Sequence, residues 1–364
     1  MNQQTALTDI LYVGTYSVRG SRGLYVYAFD RATGTVELVQ AVDNPNSPSF
    51  LALHPSGHFL YAVNERDEQG DEHFGTVYAY AIDPQSGHLT FINQQVSLGK
   101  APCHISIHQS GKLAFVSNYG SGSLAVLPIR EDGSLAEATQ LLTHTGSSVD
   151  EERQDAPHVH SATLSPDGRW LYASDLGTDK VHAYRVDADQ HTLSPHETPY
   201  VAVSPGSGPR ITAVHPDGRH VYGIKEMSST VAVFTRHPET DAFALLQDDV
   251  PFLPEQYEGE RSGGDIHVDA AGRYLYTTNR GNNTLAIFRI GDNGALSPVG
   301  LHYTGGDQPR NFWIDPNGDY VLVAHEETDN ITVFKRDKQT GDVAATGYEI
   351  SVPSPVCLVM LARP

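Results

Sequence analysis

Apolar and polar residues alternate along much of this chain in short runs, as in "FLYAVNE" (59–65), "GTVYAYAID" (75–83), "NTLAIFRI" (283–290) and "NITVFKRD" (330–337). A period of two sends every second side chain to one face, the mark of a strand with that face buried. The runs recur in a set order. "HPSGHFLYAVNE" begins at 54, "HQSGKLAFVSNY" at 108, "SPDGRWLYASDL" at 165, "HPDGRHVYGIKE" at 215, "DAAGRYLYTTNR" at 269 and "DPNGDYVLVAHE" at 315. Each is a polar turn entering a strand, and the six share one turn glycine: Gly57, Gly111, Gly168, Gly218, Gly272 and Gly318. A second alternating run and a further turn such as "PQSGHL" or "KQTGDV" follow most copies, which predicts about four short strands per repeat, the pattern of propeller blades.

A seventh copy is divided between the chain ends. "DILYVGTYSVRGSRGLYVYAFDRATGTV" (9–36) has the later strands of a blade but lacks the first, and "SPVCLVMLA" (354–362) matches the opening strands "SPSFLAL" (47–53) and "APCHISI" (101–107). Pairing of the C-terminal strand with the N-terminal blade would close the ring and leave no bare sheet edge. The expected fold is therefore all-β, a seven-bladed β-propeller of four-stranded antiparallel blades, with residues 1–364 as one domain. Its 33 glycines, 22 prolines and 18 tyrosines suit short strands and tight turns.

Charge narrows the partners. Lys and Arg total 24 against 44 Asp and Glu, a net charge of −20 that repels a nucleic-acid backbone. The start of the chain has no basic segment leading into an apolar core, and no stretch has the apolar length of a membrane helix. Two cysteines, Cys103 and Cys357, are too few for a disulfide framework. The expectation is a cytoplasmic protein, a monomer or weak homo-oligomer, that binds neither nucleic acid nor membrane.

The shared glycine lets the blades be overlaid on one another. Eight positions before it stand Ser49, Cys103, His160, Arg210, Gly264 and Arg310; one position later stand Phe50, His104, Ser161, Ile211, Asp265 and Asn311. Eight positions after it stand Glu65, Tyr119, Leu176, Glu226, Arg280 and Glu326, with Tyr16 as the equivalent in the divided blade. The first set opens each innermost strand and the last closes the second. An antiparallel hairpin lays these two ends side by side, so both sets gather at one end of the central channel. Charges that would be costly in a core are affordable on such a rim. The set is read as a small-molecule site, with Tyr16, Glu65, His104, His158, Asp265, Arg310, Asn311 and Glu326 as substrate contacts.

Other patterns carry less. The two histidines of "HVH" (158–160) have no third metal-ligand pattern beside them, and no cofactor or metal is assigned. "YGSGSLAV" (119–126) and "PGSGPR" (205–210) lack the lysine and helix of a phosphate loop. "SPDGRW" is not a nucleophile elbow, which leaves water as the nucleophile of a hydrolase.

Across essentially the whole chain the sequence resembles the lactonase family of seven-bladed propellers, which includes cytosolic bacterial 6-phosphogluconolactonases and fungal 3-carboxy-cis,cis-muconate lactonizing enzymes. The phrases that carry the likeness include "YVGTYS" (12–17), "SNYGSGSLAVLPIREDGSL" (117–135), "RQDAPHVHSATLSPDGRWLYASDLGTDKV" (153–181), "GSGPR" (206–210), "YLYTTNRG" (274–281) and "QPRNFWIDPNG" (308–318). The resemblance implies a catalytic set of His160, Arg210, Glu226 and Arg280, with His158 as the alternative to His160. It implies a sugar-lactone hydrolase, 6-phosphoglucono-1,5-lactone being the leading substrate. Two rivals stay open: a lactonizing cycloisomerase or an enzyme for a non-phosphorylated aldonolactone, and a propeller that only binds a partner on its rim.

Overall fold

A computed structural model of the chain describes residues 8–69, 74–237 and 241–363. The alternating runs become strands that assemble in fours into seven antiparallel sheets, each running in sequence order from the channel outward in six blades. In the fifth blade, for example, Pro209–Val214 lies innermost, followed by His220–Lys225, Thr230–Arg236 and Phe243–Pro251. Burial falls in the same direction. The second strand is covered along almost its whole length, whereas the fourth exposes much of one face to water.

The divided blade closes as expected. Pro355–Leu361 pairs with Thr8–Thr15 in the register Ile10 to Leu361, Tyr12 to Val359 and Gly14 to Cys357. Seven apolar clusters fill the seven contacts between neighbouring blades. The one across the closure packs Leu11, Val13 and Leu358 against Tyr320 and Leu322. Truncating a side chain such as Leu358 to alanine should cost about 2–5 kcal/mol and weaken the ring where its two ends meet.

The turn glycines are fixed by backbone and by neighbours. All six adopt φ between 68° and 72°, in the left-handed region where a side chain is strained. A turn histidine of one blade reaches the glycine carbonyl of the next: His54 Nε2 to Gly111 O at 3.0 Å, His108 Nε2 to Gly168 O at 3.1 Å and His215 Nε2 to Gly272 O at 2.8 Å. A second-strand tyrosine spans the same seam further out, as in Tyr61 Oη to Gly133 O at 2.9 Å and Tyr222 Oη to Gly294 O at 3.0 Å. These residues tie the blades together at the end of the channel away from the charged slots. No helix among the described residues is long and apolar enough to cross a membrane.

Candidate active site

A β-bulge makes the site. Near the start of the inner strand the register skips between Pro102 and His104, Val159 and Ser161, Pro209 and Ile211, Gly263 and Ile266, and Pro309 and Asn311. The divided blade skips between Cys357 and Pro355. The residues passed over include Cys103, His160, Arg210, Gly264, Arg310 and Val356. A bulged residue is left out of the ladder and the strand bends around it, which re-aims its side chain. Ser49, Cys103, His160, Arg210, Arg310 and Val356 accordingly line one cavity on the channel axis, joined by Glu65 and Asn311.

Gly264 completes that layer with backbone alone. Arg210 Nη1 donates to its carbonyl. A Cβ there would lie 2.5 Å from Thr278 Oγ1 and 2.7 Å from Pro309 O, so no side chain fits between the arginine and its acceptor.

Three guanidinium groups converge on one carboxylate. Glu226 Oε2 accepts from Arg210 Nε at 3.0 Å and forms an ion pair with Arg280 Nη2 at 2.8 Å, a nitrogen that donates to Gly263 O at 3.1 Å, and Oε1 accepts from Arg153 Nη2 at 2.7 Å. Burial opposes ionisation of Glu226, but Arg280 and Arg210 overrule it and hold the carboxyl well below the usual range. Burial, together with Arg280 and Arg310, lowers Arg210 to about 10, which leaves it charged at neutral pH. Among the described residues the buried Arg280 Nε has no partner.

The opposite wall is built around Tyr16. The Arg310 guanidinium lies 5.2 Å from its ring centroid, and Arg66 lies 5.3 Å from the same ring. Tyr16 Oη donates to Glu65 Oε1 at 3.3 Å, and Arg310 stands 3.6 Å from Glu326. Burial pushes the Tyr16 hydroxyl up, so it stays a donor.

The two histidines of "HVH" part company. His160 is buried in the cavity wall with Nδ1 3.8 Å from Cys103 Sγ, and that thiol donates to the His160 carbonyl at 3.2 Å. Burial and the nearby Arg210 hold the His160 imidazole well below its ordinary range, so it is neutral at physiological pH, and Nε2 makes no hydrogen bond to the described residues. His158 instead donates from Nδ1 to Tyr119 O at 3.0 Å and stacks on the Tyr119 ring at 4.4 Å.

His160, Arg210, Glu226, Arg280, Glu65, Arg310, Glu326 and Tyr16 are thus brought to one end of the channel. His104 and Asp265 are not. Both sit one residue further along their strands and line a second cavity toward the other mouth, with Phe50, Thr212 and Trp313. His104 Nδ1 accepts from Ala162 N at 3.3 Å and its ring packs on Phe50. Asp265 accepts from Ile266 N, His267 Nε2 and Asn311 Nδ2 at 2.8, 2.9 and 2.6 Å. Asn311 borders both cavities, but its own Oδ1 is taken by Leu358 N at 2.7 Å. Of the expected substrate contacts, His104 and Asp265 therefore line a second level of the channel, and Asn311 lines both, because adjacent residues on a strand point to different levels.

Arg153 escaped the sequence reading. It lies in the connection 144–158, which joins the third and fourth blades and is, with 252–262, one of the two longest links between blades. Its nearest sequence signal is the run "RQDAPHVH", which says nothing of where the segment docks. Of two further loops, 66–75 includes residues 70–73, which lie outside the described residues. The 253–264 segment is anchored by the buried Leu253 and by Tyr257 Oη to Gly281 O at 3.2 Å.

Comparison with known proteins bears on this geometry. The family model for the seven-bladed β-propeller lactonases matches residues 10–360. A 6-phosphogluconolactonase of Bacillus subtilis is 34% identical over 351 residues, covering 96% of this chain and 97% of that protein. One from Formosa agariphila is 36% identical, covering 94% and 96%. Among solved structures, the periplasmic gluconolactonase of Pseudomonas aeruginosa superposes with a TM-score of 0.91 at 38% identity, covering 98% of this chain and all of that one.

Proposed function

The chain belongs to the lactonase family of seven-bladed β-propellers, and from that premise we propose that it is a lactone hydrolase whose substrate is 6-phosphoglucono-1,5-lactone. The observation that carries the reading is a neutral, buried His160 on the same cavity wall as Arg210, whose guanidinium is paired with Glu226 and through it with Arg280. A neutral imidazole accepts a proton, and the fixed guanidinium groups favour an oxyanion in a site poor in water.

In this mechanism water adds to the lactone carbonyl as His160 takes its proton at Nε2. The carbonyl oxygen becomes an oxyanion held by Arg210 and Arg280. Collapse of the tetrahedral species breaks the bond between the carbonyl carbon and the ring oxygen, which leaves as a hydroxyl with the proton returned from His160. The product is the open-chain acid. Glu226 stays ionised throughout; it orients two guanidinium groups and offsets the charge that develops on His160. Tyr16, Glu65, Arg310 and Glu326 offer donors and acceptors to the sugar hydroxyls. A phosphorylated substrate belongs inside the cell, so the reading carries a cytoplasmic location and action as one seven-bladed domain.

The test is the rate of 6-phosphoglucono-1,5-lactone opening, followed by acid release near neutral pH, for wild type and Arg210→Ala. Acceleration over the spontaneous rate, reduced about 100- to 1,000-fold in the variant, is expected. Undiminished turnover in a folded Arg210→Ala protein would remove the site from the mechanism, and no acceleration by wild type would remove the substrate.

A further inference from the structure

Glu226 is outnumbered. Arg153, Arg210 and Arg280 all bond to its two oxygens, which leaves a local surplus of positive charge in a chain whose net charge is −20. Arg210 and Arg280 are deep in the wall, with side chains 4% and 10% exposed, whereas that of Arg153 is 46% exposed. The surplus therefore ends in a guanidinium that solvent, or a ligand entering from solvent, can reach.

Arg153 is also largely uncommitted. Only Nη2 is engaged, by Glu226 and, at 3.5 Å, by Tyr119 Oη; Nε and Nη1 make no hydrogen bond to the described residues. Arg280, paired with the same carboxylate, has a buried Nε that finds no partner among the described residues, a state that costs about 1–3 kcal/mol. Two guanidinium groups on one carboxylate, each with open donors, have the valence that a phosphate's several oxygens fill.

The segment that carries Arg153 is built to hold it. Asp150 Oδ1 accepts from Arg153 N at 2.9 Å and from Glu152 N at 3.0 Å, closing a tight turn. Gln154 is fully buried; its backbone bonds both ways, to Asp150 O at 2.8 Å and from Ser148 N at 2.9 Å, and its side chain donates to Leu176 O at 2.8 Å. His158 N, at the far end, is held by Asp175 Oδ1 at 2.8 Å. A long connection with this many internal ties presents its arginine from a fixed base, so little ordering is lost on binding.

We propose that Arg153 is the specificity-determining residue for a phosphate handle: it binds the phosphate of the lactone at the outer edge of the site, while Arg210 and His160 act on the carbonyl deeper in the channel. The assignment rests on the lactonase reading for the substrate's other end. It predicts that the chain prefers phosphorylated over plain aldonolactones through one side chain on one loop.

The experiment measures kcat/KM for 6-phosphoglucono-1,5-lactone and for glucono-1,5-lactone in wild type, Arg153→Ala and Arg153→Lys. The ratio of the two should fall about tenfold or more in Arg153→Ala, mainly through KM for the phosphorylated lactone, with Arg153→Lys in between. An equal loss on both lactones would mean that Arg153 only positions Glu226, and an unchanged ratio would overturn the assignment outright. Calorimetric binding of 6-phosphogluconate and gluconate gives a readout without turnover. Wild type should prefer the phosphorylated acid and the alanine variant should not; a preference that survives in the variant overturns the proposal. If wild type opens neither lactone, the catalytic reading falls while the binding comparison still decides the role of Arg153.

Discussion

Two layers of the channel stand one residue apart on the same strands and treat polar groups in opposite ways. In the layer of His104, Asp265 and Asn311, His104 Nδ1 and Asn311 Oδ1 accept from backbone N–H groups, and the Asp265 carboxylate is held by Ile266 N, His267 Nε2 and Asn311 Nδ2. In the layer of His160, Arg210 and Arg310, which the bulges turn into the cavity, three cations share Glu226, and among the described residues neither His160 Nε2 nor Arg280 Nε has a hydrogen-bond partner. The Asp265 carboxylate is answered by neutral donors and one histidine, whereas Glu226 is outnumbered by cations, and a surplus of guanidinium charge is what an anionic ligand or an oxyanion answers. The contrast separates scaffold from site more sharply than charge alone, because both layers contain ionisable residues.

The severest way to break this comparison is to remove the base. His160→Gln should lower kcat for lactone opening by about 100- to 10,000-fold while the melting temperature stays near that of wild type. A loss of folding with little loss of specific activity would put His160 in the scaffold layer after all.

The converse change addresses the layer of Asp265. Asp265→Asn places an amide where donors from Ile266, His267 and Asn311 converge, so stability should fall by about 1–3 kcal/mol in urea unfolding, with kcat within about twofold of wild type. A large drop in kcat at unchanged stability would return Asp265 to the site.

The finest distinction is in pH. Burial, helped by Arg210 and opposed by Asp265, lowers the His104 pKa to about 3. The unfolded chain binds a proton at His104 near pH 6.5, which the folded chain refuses. Stability is therefore unaffected by His104 above that pH and declines as pH falls from about 6.5 toward 3, by up to about 1.4 kcal/mol per unit. His104→Phe keeps a ring against Phe50 and removes the titration, so its stability should fall less steeply between pH 7 and pH 5 than that of wild type. Parallel slopes would mean that His104 is protonated in the fold. His160 is lowered in the same direction, so turnover should persist as pH drops past the usual histidine range.

Much of the architecture was legible in the chain. A glycine at a fixed place in six phrases sets the hairpin, the two-residue period sets the buried face, and the kinship of 354–362 with 47–53 gives away the closing strand; all are local signals that repetition amplifies. The overlay also brought Arg210, Glu226, Arg280, Arg310, Tyr16 and Glu65 to one end, because hairpin geometry alone puts strand starts beside strand ends. It did not separate the neighbouring slot, whose His104 and Asp265 line a second cavity. A bulge adds one residue to one strand without changing the alternation that a reader sees, so the split between the level of Arg210 and that of Asp265 leaves no mark in the sequence.

The sequence by itself determined the number of blades, the closure and the end of the channel where charge collects, since each depends on short-range pattern repeated seven times. Tertiary structure alone decided which charges are satisfied: Arg153 meets Glu226 from 73 positions away, and His160 rather than His158 faces the cavity because a bulge turns one and Tyr119 captures the other. Ion pairs and hydrogen bonds are made in space, between groups that sequence distance does not relate, and those pairings set which side chains face the cavity.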